Sequence, residues 1–112
     1  MKILHNPRCG KSREAVKILQ DNNLNPEVVK YLDSPLNAED LKSLVGKLGV
    51  EPIDLVRKNE KVWKENFKDK NLTAEEVIRA MAENPILMER PVIIKGDKAV
   101  IGRPPENVKS LI

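Results

Sequence analysis

The chain has one cysteine, one histidine, and three aromatic residues in all: one Phe, one Tyr and one Trp. A single cysteine excludes an intrachain disulfide and a cysteine-rich metal site, and it fits a reducing compartment. With so few aromatics there is no platform for base stacking. The net charge of +3 comes from acids and bases interspersed along the chain, so nucleic acid is not an expected partner. No apolar run is long enough to span a bilayer, and the apolar start is too short for a secretory leader. The expected address is the cytoplasm, with no membrane partner and no bound metal. Repeats, low-complexity tracts and linkers are also missing, and 112 residues suit one domain spanning 1–112 with its own core.

What is there reads as alternating elements. Residues 1–5 predict a strand, 11–23 a helix with Ala15, Val16, Ile18 and Leu19 toward one side, and 26–31 a second strand. A β-α-β order in so short a stretch implies parallel pairing through a right-handed crossover. Leu41, Leu44, Val45 and Leu48 fall at i, i+3, i+4 and i+7, with Asn37 as a plausible cap. A short helical turn is expected over 52–58, entered at Pro52, and a highly charged helix over 60–67. Trp63 in that helix is expected to bury itself. Thr73-Ala74-Glu75-Glu76 has the capping-box pattern and opens a helix with Val77, Ala80 and Met81 on one face, stopped at Pro85. Val92-Ile93-Ile94 and Ala99-Val100-Ile101 flank Lys95-Gly96-Asp97-Lys98, a hairpin signal. Pro104-Pro105-Glu106 opens a short last helix with Val108, Leu111 and Ile112 on its apolar side. Setting aside a helical insert of about 35–88 leaves βαβ followed by ββα, an α/β arrangement with the order of the thioredoxin fold.

Cys9 lies in the run His5-Asn6-Pro7-Arg8-Cys9-Gly10-Lys11-Ser12-Arg13, between the first strand and the first helix. This is the carboxyl edge of an open sheet, where such folds place ligands. A helix start offers unpaired N–H groups and a partial positive charge, which favour thiolate over thiol. Arg8, Lys11 and Arg13 flank the sulfur. Most lone cysteines are small buried hydrophobes. This setting instead predicts a nucleophile with a depressed pKa. His5 is either a strand-end residue satisfied by backbone or a group that tunes the thiol. Asn6 is expected to support the loop by hydrogen bonding. Gly10 and Lys11 are expected to turn backbone N–H groups toward an anion. Arg8 and Arg13 read as solvated or helper charges.

This loop resembles the active-site loop of the glutaredoxin-coupled arsenate reductases. Three more landmarks agree in order and spacing: Asp54-Leu55-Val56-Arg57, Glu89-Arg90-Pro91, and Ile101-Gly102-Arg103-Pro104-Pro105. The likeness extends over the whole chain and is strongest to short bacterial members called arsenate reductase-like. It implies a thioredoxin-like fold and an oxidoreductase that reduces arsenate to arsenite. It implies Cys9 as nucleophile and Arg57, Arg90 and Arg103 as oxyanion ligands, because forked, always-protonated guanidinium groups suit a tetrahedral anion. It also implies a cis Arg90–Pro91 bond before the third strand.

Ser12 stands where a Cys-x-x-Cys redox motif would carry its second thiol. An outside thiol must therefore finish the cycle. The resemblance implies glutathione as thiol co-substrate and glutaredoxin as protein partner, with no bound cofactor. Ala15 occupies the arginine position of a Cys-x5-Arg motif, which disfavours the phosphatase-like class of arsenate reductases. The alternatives are a glutathione-dependent thiol transferase or reductase acting on another oxyanion or mixed disulfide, and a non-catalytic protein-binding adaptor of the same fold.

Overall fold

The computed structural model describes all residues, Met1–Ile112. Four strands form one sheet in the order β2-β1-β3-β4: β1 (Lys2–Leu4), β2 (Glu27–Val29), β3 (Val92–Lys95) and β4 (Lys98–Ile101). β1 pairs parallel with β2, Ile3 opposite Val28, and antiparallel with β3, Ile3 opposite Ile93. β3 and β4 form the expected hairpin, with Gly96 at φ 62° in its turn, a conformation glycine adopts without steric cost. This mixed sheet with its helices is a thioredoxin-like α/β fold.

The chain divides into two compact units. One is Met1–Ser34 with Arg90–Ile112; the other is Pro35–Glu89. The first holds the sheet, α1 (Gly10–Asp21) and a 3-10 helix over Pro105–Leu111. Its core is Ile3, Ala15, Leu19, Ile93, Val108 and Leu111. Side chains from the sheet, α1 and the last helix meet there, and burial of such aliphatic groups is the main force fixing them.

The second unit holds α2 (Ala38–Leu48), a 3-10 turn at Pro52–Leu55, α3 (Lys61–Asn66), α4 (Ala74–Glu83) and a 3-10 turn at Pro85–Leu87. α2 begins on an Asn37–Asp40 capping box and ends on Gly49 in the left-handed region, φ 69°. α4 begins on the Thr73–Glu76 capping box. Leu41, Leu44, Leu55, Val77, Ile78 and Met81 are buried. Trp63 is buried as expected and lies against Phe67, ring centroids 5.5 Å apart.

Several expectations need correction at their edges. The helical turn after Pro52 stops at Leu55, because Val56 turns extended and bridges to Met88. The second strand is three residues long, and Tyr31 is buried beyond its end. β2 is an edge strand, so Val28 is 44% exposed where a buried position is the usual expectation for valine. The final helix is 3-10 throughout, and Ile112 lies past it and is exposed. No helix is long and apolar enough to cross a membrane.

Candidate active site

Cys9 is the N-cap residue of α1, extended at φ −93° and ψ 121°, with no side-chain cap. The loop that delivers it is tied internally. Asn6 is buried, and its carbonyl accepts the Cys9 N–H at 3.0 Å. Its side-chain Oδ1 accepts the Arg8 N–H at 3.0 Å. Its own N–H donates to Ser12 Oγ at 3.1 Å. Arg13 closes the loop from outside, Nη1 donating to the Pro7 carbonyl at 2.9 Å. Arg13 is thus more than a solvated charge: it holds the loop.

Ser12 is fully buried, and its Oγ lies 2.6 Å from His5 Nδ1. The position that would hold a second thiol instead locks the histidine and Asn6 together. The His5 pKa lies below the ordinary imidazole value, from burial first and then from the charges of Lys30 and Arg13. His5 is therefore neutral at pH 7, and it touches Ser12.

Two arginines reach the sulfur. Arg103 Nη2 donates to Cys9 Sγ at 3.6 Å, while its Nε donates to the Arg90 carbonyl at 2.8 Å. The Arg90 side chain also hydrogen-bonds the sulfur. One guanidinium thus links the cysteine to the backbone before β3. Gly102 makes this possible. Its N–H donates to the Pro91 carbonyl at 2.8 Å, and a Cβ there would stand 2.8 Å from Pro91 Cγ and 3.0 Å from Ile93 Cδ1. The expected cis bond at Arg90–Pro91 is found, and Arg103–Pro104 is cis as well.

The Cys9 thiol is pulled below its ordinary pKa. Partial burial, the largest single effect, raises it. Against this stand hydrogen bonds from the Ser12 backbone, then the Arg103 and Arg90 side chains, then the Lys11 backbone, and together they win. The backbone N–H groups that hydrogen-bond the sulfur are those of Ser12 and Lys11.

Cys9, Arg90 and Arg103, with His5, Asn6, Lys11, Ser12 and Pro91, belong to the same unit. Arg57 belongs to the other. There its backbone N–H donates to the Leu87 carbonyl, its Nε lies 3.5 Å from the Glu60 carboxylate, and its Nη1 is buried without a hydrogen-bond partner. Two features of the site escaped sequence reasoning: the Ser12 bridge and the steric demand at Gly102. The Ser12 bridge had a signal, a hydroxyl one turn into a helix that starts beside a histidine.

The chain is similar to known proteins over nearly its whole length. A model described as the ArsC family matches residues 4–111. The Escherichia coli (strain K12) protein named "Uncharacterized protein YfgD" is 46% identical over 114 aligned residues, covering 100% of this chain and 96% of that one. The arsenate reductase of Neisseria meningitidis serogroup A is 40% identical, covering 100% of this chain and 97% of its own. The solved structure of the arsenate reductase from Vibrio cholerae superposes with a TM-score of 0.95 at 40% identity, covering 99% of this chain and 96% of that chain. With its family match nearly end to end and its cysteine loop in the thioredoxin-like frame, the chain belongs to the ArsC family, among the arsenate reductase-like proteins.

Proposed function

We propose that the protein reduces arsenate to arsenite using glutathione and glutaredoxin as thiol donors. The observation that carries this reading is the meeting of the Cys9 sulfur with Arg103 and Arg90 at the start of α1. A thiolate held by two guanidinium groups is both a nucleophile and one side of an oxyanion seat. Arsenate is a tetrahedral oxyanion, the kind of charge and shape that guanidinium groups suit.

In the proposed cycle, the Cys9 thiolate attacks arsenic, the bond from arsenic to a hydroxyl breaks, and that hydroxyl takes a proton from solvent and leaves as water, giving a cysteine–arsenate adduct. A glutathione thiol enters and forms a disulfide with Cys9. The electron pair left behind reduces arsenic from the pentavalent to the trivalent state, and arsenite departs. Glutaredoxin then exchanges with the Cys9–glutathione disulfide and restores the thiolate. Two thiols become one disulfide for each arsenate reduced. Arg103 and Arg90 neutralise the oxyanion, Arg57 is the third proposed ligand, and Lys11 and Ser12 offer backbone N–H groups. His5, Asn6 and Gly10 shape the loop, and Pro91 places the Arg90 backbone.

The decisive assay is arsenate-dependent NADPH oxidation with glutathione, glutaredoxin and glutathione reductase supplied. Cys9→Ser should abolish the signal. Turnover sustained by thioredoxin alone would contradict the proposal, and so would equal activity in Cys9→Ser.

A further inference from the structure

A groove of about 390 Å³ runs between the cysteine loop, at His5 to Arg8, and the turn after β2, at Lys30, Leu32 and Asp33. Its size falls within the range of small-molecule sites. Arg8, which ends one wall, directly precedes Cys9 in the chain. The charges on the two walls are uncommitted: neither Arg8, Lys30 nor Asp33 takes part in any of the ion pairs of the protein. Leu32 adds an aliphatic surface, 38% exposed. The Lys30 charge is felt at His5, on the opposite wall.

This pattern selects its occupant. Two cations and one carboxylate suit a zwitterion with more acids than amines. A polyphosphate or bare oxyanion would meet repulsion from Asp33, and a nucleoside would find no Phe, Tyr or Trp ring in the walls. We propose that the groove binds the co-substrate thiol as a small acidic peptide of the glutathione type, with Arg8 and Lys30 on its carboxylates, Asp33 on its ammonium and Leu32 along its chain. This rests on the reading above that an outside thiol completes the cycle. It adds the place where that thiol sits, on the Arg8 side of Cys9.

The test uses S-methylglutathione, whose blocked sulfur cannot react, titrated without arsenate into the isotope-labelled full chain. Saturable NMR shifts are expected at the amides of Arg8, Lys30 and Asp33 and at the ring of His5, the only histidine. Lys30→Glu should weaken this binding roughly tenfold, the scale of one charge-assisted contact. Its amide spectrum outside the groove should stay as in the wild type, which shows that it folds. The Lys30→Gln variant should fall between. Shifts that map elsewhere, or binding unaffected by Lys30→Glu, would overturn the proposal. If Lys30→Glu altered only the KM for glutaredoxin, the groove would be a protein-docking face and the proposal would be wrong. The two readings separate cleanly. Binding in the groove without arsenate reduction would refute the function alone. Arsenate reduction with an unchanged KM for glutathione in Lys30→Glu would refute the groove alone.

Discussion

Removing the Arg103 guanidinium should raise the Cys9 pKa by about one unit. The two groups are 3.6 Å apart. Unit charges at that distance attract by about 1.2 kcal/mol at the dielectric of water. One pKa unit corresponds to about 1.4 kcal/mol, so the floor is about 0.8 unit. A hydrogen bond to a charged group, at about 1.5–3 kcal/mol, would give about one to two units. Arg103 is exposed and Cys9 partly so, which places the expectation near the lower end. The assay is the rate of iodoacetamide alkylation against pH, which follows the thiolate fraction. Arg103→Ala should move the midpoint up by about one unit and slow alkylation close to tenfold below it. Arg103→Lys should recover part of this, keeping charge but losing the Nε bond to the Arg90 carbonyl. Ser12 and Lys11 keep their backbone contacts in both variants. A midpoint shift under about 0.3 unit in Arg103→Ala would refute the reasoning, since the contact would then carry almost none of its Coulomb energy.

Other outcomes follow from the same geometry. In steady-state assays of the proposed reaction, alanine at Arg57, Arg90 or Arg103 should each cost roughly ten- to a hundred-fold, about one charge-assisted hydrogen bond; three wild-type rates would end the oxyanion-seat reading. Gly102→Ala should destabilise by about 1–3 kcal/mol in urea titration, because the new methyl meets the Pro91 ring at 2.8 Å, and should raise the alkylation midpoint by displacing Arg103; unchanged values for both would show that the contact relaxes freely. His5 is held neutral in the folded chain, so on acidification the unfolded chain takes up this proton first: the stability His5 contributes is present above about pH 6.5 and is lost as pH falls through its lower folded value. His5→Gln should therefore lose less stability than the wild type between pH 7.5 and 5, and parallel losses in chemical denaturation would contradict this. Thr73→Ala removes the α4 cap and should cost about 1 kcal/mol, read as a fall of a few degrees in melting temperature; an unchanged melt would mean the cap contributes nothing.

Much of this was legible in the chain because it is written locally. The cysteine loop, the capping boxes at Asn37 and Thr73, and the hairpin at Gly96 each depend on residues a few positions apart. The parallel pairing of β1 and β2 followed from their short separation. What stayed hidden depends on distant partners. The last helix is 3-10 along its length; it packs on α1 and β4, and Lys95 Nζ donates to the Leu111 carbonyl at 3.0 Å. Propensity alone does not encode that. The steric demand at Gly102 comes from Pro91 and Ile93, about ten residues earlier. Which backbone N–H faces the sulfur turned on the N-cap register: with Cys9 itself as N-cap, the groups aimed at it come from Lys11 and Ser12, at the second and third helical positions. The outward-facing Val28 reflects the place of β2 at the sheet edge, a matter of strand order that its own sequence does not carry.

A chain with one thiol is one half of an electrochemical couple. It has no internal partner against which to set its own potential, so the oxidation state of Cys9 at rest is dictated by whichever external thiol–disulfide pair it equilibrates with. For a two-electron couple each 30 mV in that pair shifts the ratio about tenfold. The site can tune how fast Cys9 exchanges, through the cations and N–H groups around it. It also tunes how strongly a mixed disulfide is disfavoured, since neutralising the thiolate forfeits those contacts. The protein is thus built to read the reducing power of its surroundings while storing none of it.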